Sequence, residues 1–376
     1  MLPSLVFSQT AWVPHTLFPG DEQYSVACGN NRFVSVGLGG VNFISTDGEV
    51  WTPESSGTLA DLHSIIFTGN QFIAVGAGGT ILTSPDGDVW KAESSGTASD
   101  LNCVKQVNNQ YFALGSHGTM LVSTDGKAWA NKANNAFSSL SELYSITFAN
   151  NLYVVVCGFI KTSPDLMTWT DCSPDGRFGN GFKSVIYAAN RFVAVGDTIA
   201  VSGDGKTWGK RNSNILANLY GLTYGNGQFV AVGAGNTILS SPDGSTWVHR
   251  FENGGIASLQ SIIFEQNRFV AVGWNIITSK ADTTGIKSGE MIRIPSRGTI
   301  RFGSQLHQTP MTQIPQNGIP FEFFDATGKE IYSTMVAPEN GVLTIPCGRN
   351  ASGIYFMRYG KEGGNDHPRN GKIASF

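Results

Sequence analysis

Ser84-Pro85-Asp86-Gly87-Asp88-Val89-Trp90 is one version of a phrase that also occupies 45–51, 123–129, 163–169, 202–208 and 241–247. Ser, Asp and Trp keep their places in every version, and Trp51, Trp90, Trp129, Trp169, Trp208 and Trp247 step by 39, 39, 40, 39 and 39 residues. Asp-Gly between two apolar runs marks a β-hairpin, because Gly supplies positive φ and Asp bonds its own backbone across the turn. A fixed period of about 40 residues with four strands in each predicts a β-propeller, whose small sheets bury their faces only against their neighbours.

Upstream of each phrase lie two further strands. The innermost is marked by Ser25-Val26-Ala27, Ser64-Ile65-Ile66, Cys103-Val104-Lys105, Ser145-Ile146-Thr147, Ser184-Val185-Ile186, Gly221-Leu222-Thr223 and Ser261-Ile262-Ile263. A turn containing Asn or Gly and a second strand such as Phe192-Val193-Ala194-Val195-Gly196 follow. These runs are apolar on both faces, as strands packed between two blades must be. Trp12 stands 39 residues before Trp51 but has no strands of its own, while the last repeat loses its phrase after Ile276-Ile277-Thr278-Ser279. Each fragment supplies what the other lacks. The expectation is an all-β, seven-bladed propeller over 10–283, closed by the N-terminal strand that carries Trp12 and so left without open edges.

The period stops at Lys280. Residues 284–316, richer in polar and turn residues, read as a linker or the first strand of a second domain. Over 317–376, runs such as Pro320-Phe321-Glu322-Phe323-Phe324 and Ile354-Tyr355-Phe356-Met357-Arg358 predict a small antiparallel C-terminal β-sandwich. At the other end, residues 1–9 read equally as the tail of a signal peptide or as a short first strand.

Bulk composition removes several classes of function. The chain has 376 residues, of which 41% are apolar and only 14% charged, with a net charge of −3. That balance gives no electrostatic reason to expect nucleic acid or an anionic membrane as partner. No run approaches the roughly 18 to 20 apolar residues of a spanning helix. The five cysteines, Cys28, Cys103, Cys157, Cys172 and Cys347, have no Cys-x-x-Cys spacing, so they predict buried thiols rather than a zinc or redox centre.

The repeated phrase resembles the Asp-box of sialidase-type and related bacterial propellers, S-x-D-x-G-x-x-W, and is one residue shorter as S-x-D-G-x-x-W. In that family the box staples the hairpin between the two outer strands, away from the active site. The resemblance therefore implies architecture and no particular chemistry. Arg293-Ile294-Pro295 echoes the Arg-Ile-Pro element of sialidases but follows the propeller instead of preceding its first box, and no trio of inner-strand arginines accompanies it. Sialidase activity is not expected. Residues 317–376 resemble the C-terminal sorting domain of type IX secretion cargo through Phe323-Phe324-Asp325-Ala326-Thr327-Gly328-Lys329-Glu330-Ile331, Ser352-Gly353-Ile354-Tyr355-Phe356 and Gly371-Lys372-Ile373. That resemblance implies a secreted or cell-surface protein, although the usual Asn-Pro near the start of such domains is absent.

Where the repeat stops repeating, function becomes legible. The position at the head of each inner strand, expected at the mouth of the central channel, holds Tyr24, His63, Asn102, Tyr144, Lys183, Tyr220 and Gln260 in turn. Packing alone would not fill seven equivalent places with polar or aromatic groups of different kinds. Two residues earlier stand Glu22, Asp61, Asp100 and Glu142, then Gly181, Asn218 and Ser258, an acidic arc facing a neutral one. The turns between second and third strands add Ser116, His117, Phe159, Asp197, Asn236, Trp274 and Asn275 to the same rim. Rings interleaved with amides and carboxylates suit a sugar, whose faces stack while its hydroxyls need donors and acceptors.

On this reading Tyr24, His63, Asn102, His117, Tyr144, Lys183, Tyr220, Gln260 and Trp274 bind ligand. Were the protein an enzyme, two of Asp61, Asp100, Glu142 and Asp197 would serve as acid and base of a glycoside hydrolase. Alternatively Lys183 would neutralise a uronate while Tyr144 or His63 takes a proton, as in a polysaccharide lyase. His63 and His117 come from neighbouring blades and could meet with Asp61 or Asp100 around a metal, but sequence spacing across separate blades is no test of such a set, and no metal or other cofactor is expected. Short loops leave a shallow cup, which favours recognition over catalysis. The expected protein is thus a monomeric, secreted polysaccharide-binding propeller, with a carbohydrate-active enzyme and a protein-interaction scaffold as alternatives.

Overall fold

The structure, a computed structural model, describes residues 12–15, 21–132, 137–138, 141–173, 181–211, 217–251 and 257–279, and beyond them the backbone of the strands between Gly298 and Ser375. Residues 1–9, Arg293-Ile294-Pro295 and most of 284–316 lie outside the described residues.

Seven four-stranded antiparallel sheets form in chain order. Their innermost strands are Gln23–Gly29, Leu62–Phe67, Leu101–Val107, Ser145–Ala149, Phe182–Ala188, Leu219–Gly225 and Leu259–Glu265, which head blades 1 to 7. Each inner strand lies beside the next, and that of blade 7 beside that of blade 1, so the ring is closed. Closure comes from the N-terminus, as expected. Trp12–His15 is the outermost strand of blade 7, pairing antiparallel with Ile276–Ser279 from Trp12 opposite Ser279 to His15 opposite Ile276. His15 Nε2 and Thr278 Oγ1 share a hydrogen bond of 2.8 Å across that seam.

Cores lie between the blades, which explains strands that are apolar on both faces. At the seam, Val26, Phe33 and Phe43 of blade 1 pack on Val270, Val272 and Ile276 of blade 7. Between blades 4 and 5, Val154, Val156 and Ile160 meet Phe182, Phe192 and Trp208. Phe33, Phe72, Phe112, Phe192 and Phe229, each near the start of the second strand of its blade, are fully buried, and such a side chain contributes about 1.5–3 kcal/mol by leaving water.

The repeated phrase folds identically each time. In 45–51, Ser45 Oγ donates to Asp47 Oδ1 (3.0 Å) and accepts the Gly48 N–H (2.8 Å), while Asp47 Oδ1 accepts the N–H groups of Glu49 (2.8 Å) and Val50 (3.0 Å). Trp51 Nε1 then donates to the Gly48 carbonyl at 3.0 Å. Backbone donors hold these aspartates below the ordinary carboxylate range, Asp204 down to about 2 through the N–H groups of Thr207 and Lys206. Trp12 stands in the tryptophan register with no phrase before it, and its buried Nε1 lacks an acceptor among the described residues.

Beyond the propeller the chain divides between Ala281 and Asp282. The second unit has a four-stranded sheet in the order Glu330–Val336, Ile319–Phe324, Ile354–Tyr359, Asn370–Ser375, and Gly298–Phe302 pairs with Leu343–Cys347. No helix among the described residues is long and apolar enough to cross a membrane.

Candidate functional site

Six of the seven inner strands begin with an irregularity that re-aims one side chain. In blade 1, Gln23 pairs with Gly37 and Ser25 with Val36, so Tyr24 is an extra residue with no partner opposite. The same shift occurs at His63, Asn102, Lys183, Tyr220 and Gln260. A β-bulge bends its strand and re-aims the extra side chain. The bend brings backbones together: a Cβ on Gly76 would stand 1.9 Å from the Asp61 carbonyl oxygen, and one on Gly115 equally close to that of Asp100. Hence the second strand of a bulged blade ends in Gly. In blade 4 that place is Cys157, and there Tyr144 precedes an unbulged strand and donates its N–H to the Val156 carbonyl at 3.0 Å.

All seven head residues, Tyr24, His63, Asn102, Tyr144, Lys183, Tyr220 and Gln260, line a single axial cavity of about 460 Å³. All are half-buried. Contacts from blade to blade fix their orientation. Tyr24 meets His63 edge to face with ring centres 5.8 Å apart, and His63 Nδ1 donates to the Leu101 carbonyl at 3.1 Å, which leaves Nε2 for a ligand. Asn102 Nδ2 donates to Glu142 Oε2 (3.1 Å) and to the Leu143 carbonyl (3.3 Å). Lys183 Nζ sits 3.5 Å from the centre of the Tyr144 ring, a close cation–π pair. Gln260 Nε2 donates to Glu22 Oε1 at 3.4 Å. Burial, then the charges of Glu22 and Asp61, push the Tyr24 phenol above its ordinary pKa and keep it a neutral donor.

The remaining candidates stand elsewhere. His117 and Trp274 lie in the turns between second and third strands, both exposed, and neither lines the cavity. Nor do Asp61, Asp100, Glu142 and Asp197. Asp61 Oδ1 accepts the Gly39 N–H of blade 1 at 2.7 Å, and Asp100 Oδ1 accepts the Gly78 N–H of blade 2 at 2.7 Å. Gly39 and Gly78 have φ near +60 (61° and 62°), which turns their N–H groups toward the following blade. Glu142 Oε2 reaches Ser116 Oγ of blade 3 at 2.9 Å as well as Asn102. Asp197 is exposed, with its N–H on the Gly181 carbonyl at 3.4 Å. The acidic arc is thus largely a set of clasps between blades. His63 and His117 do not meet at a metal site: among the described residues no three His, Cys, Asp or Glu side chains gather as one.

Two features of the cavity escape the sequence reading. Below the head residues runs a tier of Ser25, Ser64, Cys103, Ser145, Ser184, Gly221 and Ser261. Its hydroxyls join inner strands too splayed to share a ladder: Ser25 Oγ accepts the Ile65 N–H (3.2 Å), Ser64 Oγ that of Val104 (3.1 Å) and Ser145 Oγ that of Val185 (3.3 Å). Deeper still, Lys105 lines the cavity with Ile66 and Ile263. Cys28, Cys103, Cys157 and Cys172 are free thiols, and burial pushes Cys28 and Cys103 up to about 11. Cys347 has no described side chain.

No protein-family model matches the chain, and no curated protein sequence does. Solved structures do. YCF48 from Cyanidioschyzon merolae superimposes with a TM-score of 0.58 at 17% identity, over 72% of this chain and 98% of its own. YCF48 bound to D1 peptide gives 0.59 at 17%, over 75% and 100%. Virginiamycin B lyase from Staphylococcus aureus gives 0.62 at 12%, over 71% and 98%. At such identities the likeness establishes the fold and nothing finer, and with the ring closed by Trp12–His15 the chain is a seven-bladed β-propeller.

Proposed function

We propose that the protein is a recognition module that seats the end of a glycan in the axial cavity, and that it does not hydrolyse what it binds. The observation that carries this reading is the convergence of seven polar or aromatic side chains of five kinds, six of them on bulges, upon one cavity of about 460 Å³. That volume lies in the usual range for small-ligand sites, about 300–1,000 Å³. Tyr24, Tyr144 and Tyr220 offer rings for sugar faces, and Asn102, Gln260 and His63 offer donors and acceptors for hydroxyls. A glycosidase needs two carboxylates flanking the scissile bond. Here Asp61 and Asp100 are committed to backbone N–H groups of neighbouring blades.

The test is a screen of the full-length protein against plant, algal and bacterial polysaccharides, scored for binding and for released products. Tyr144→Ala or Tyr220→Ala should cost about 1–3 kcal/mol of affinity through lost stacking area. Product release that disappears in Asp61→Asn or Asp100→Asn would replace this reading with the hydrolase. Because the site is placed wholly on the propeller, a protein ending at Thr283 should keep the affinity. A secreted or surface address belongs to the same proposal and is checked by fractionating the producing cells.

A second reading has one observation in its favour: the structural neighbour YCF48 is known bound to a peptide. A propeller mouth of this size accepts an extended peptide end as readily as a sugar. Peptide-array binding without any glycan binding would favour it.

A further inference from the structure

The cavity is electrically one-sided. Lys105 and Lys183 line it, and no carboxylate does. On the same face Asp61 and Asp100 accept backbone N–H groups, Glu142 accepts from Ser116 and Asn102, and Glu22 accepts from Gln260. Neither lysine forms an ion pair among the described residues. Lys183 is instead held against the Tyr144 ring. Lys105 is the more telling of the two. Its equivalents in the other inner strands are Ala27, Ile66, Thr147, Ile186, Thr223 and Ile263, all uncharged. A half-buried ammonium among such neighbours is costly unless something anionic meets it.

Resting on the glycan-recognition reading, we infer that the cavity selects an acidic sugar chain, admitting a uronate end whose carboxylate is met by Lys105 within the cavity and Lys183 at its mouth. Glu22 and Asp61, close enough to act on the Tyr24 phenol, repel that carboxylate from blades 1 and 2 and so set the direction in which the sugar lies. Tyr144 then stacks the ring of the sugar whose charge Lys183 holds. A carboxylate bonded to an ammonium in a partly desolvated site is stronger than the neutral hydrogen bonds of a hydroxyl, and this difference is the selectivity.

The experiment is calorimetric titration of the full-length protein with galacturonate and galactose hexamers, and with peptides ending in a free or an amidated carboxyl. Lys105→Met and Lys183→Met, close to Lys in length, are titrated alongside, with melting curves to confirm folding. Expected are binding of the galacturonate hexamer at least about tenfold tighter than that of the galactose hexamer, and loss of about tenfold or more in each folded variant. Equal affinity for both sugars, or acid binding that the folded variants do not weaken, overturns the inference while leaving glycan recognition standing. Binding of free-carboxyl peptides but of neither sugar overturns both, as does binding of no probe at all. Should one variant fail to fold, the other decides, supported by the salt dependence of the native protein: affinity for the acidic hexamer must fall as ionic strength rises.

Discussion

Replacing Asp61 with Ala separates a structural carboxylate from a catalytic one. Its Oδ1 accepts the Gly39 N–H at 2.7 Å, a charge-assisted bond across the junction of blades 1 and 2. Such bonds contribute about 1.5–3 kcal/mol when shielded, and since Asp61 is half-buried the lower part of that range applies, about 1.5–2 kcal/mol. For a domain of this size each kcal/mol moves the melting temperature by about 2–4 °C. Asp61→Ala should therefore melt about 3–8 °C lower, whereas Asp61→Asn, which keeps an acceptor oxygen, should recover most of the loss. Asp100→Ala removes the equivalent clasp on Gly78, and as the two share no partner their effects should add to within about 0.5 kcal/mol. Scanning calorimetry measures the stabilities, and titration with whichever polysaccharide the screen identifies should give an affinity no more than about twofold weaker than that of the native protein. A melting temperature unchanged in both alanine variants, or a glycan-cleaving activity lost in the asparagine variant, would refute the assignment.

Three further outcomes follow from the fold. Deleting residues 1–19 removes the outer strand of blade 7 and bares the edge Ile276–Ser279; the product should unfold less cooperatively or self-associate, and a monomer with the native melting curve would contradict the closure. Trp90→Phe breaks the 2.8 Å bond from Nε1 to the Gly87 carbonyl and should cost about 1 kcal/mol more than Trp12→Phe, which removes only an unpaired buried N–H; equal losses in chemical denaturation would argue against it. Acid should weaken the propeller in a defined window. The aspartates of the repeated phrase have folded pKa values below their unfolded one of about 3.9, so their contribution is complete above pH 4 or so and drains as pH falls toward about 2, the value at Asp204. A melting temperature flat from about pH 5 to pH 2 would show that these bonds contribute nothing.

The ring of head residues was legible because a repeat lets equivalent positions be compared with one another in the sequence itself. Tyr24, His63 and Lys183 differ while the Ser, Asp and Trp around them do not, and burial in one cavity follows from their common phase. The bulge beneath them was not legible, since one extra residue in a strand leaves no mark on a 39-residue spacing. Its trace is the Gly that ends the second strand, Gly76 or Gly115, which reads as an ordinary turn residue until the nearby carbonyl is seen. The partners of the carboxylates were not legible for a related reason. Whether Asp61 faces the axis or a neighbour's backbone depends on the positive φ of Gly39, 22 residues upstream in another blade. Lys105 did leave a signal, as the one charge in its tier of seven.

Blade 4 is where the rules of the repeat fail together. Its hairpin has Leu166 at φ 65° where the other copies have Gly, a conformation that costs a side-chain-bearing residue about 1–2 kcal/mol. Its second strand ends in Cys157, and its inner strand starts without a bulge. Packing answers for two of these departures, since Cys157 is buried in the apolar cluster between blades 3 and 4 and Leu166 packs against it, while Val154, Val156 and Ile160 fill the junction with blade 5. What sets this junction apart is its contribution to the cavity mouth: Tyr144 stands at the head of the unbulged strand, and Lys183 lies on its ring. On the proposed reading of the cavity, this pair of blades would be the sector of the ring that chooses the ligand.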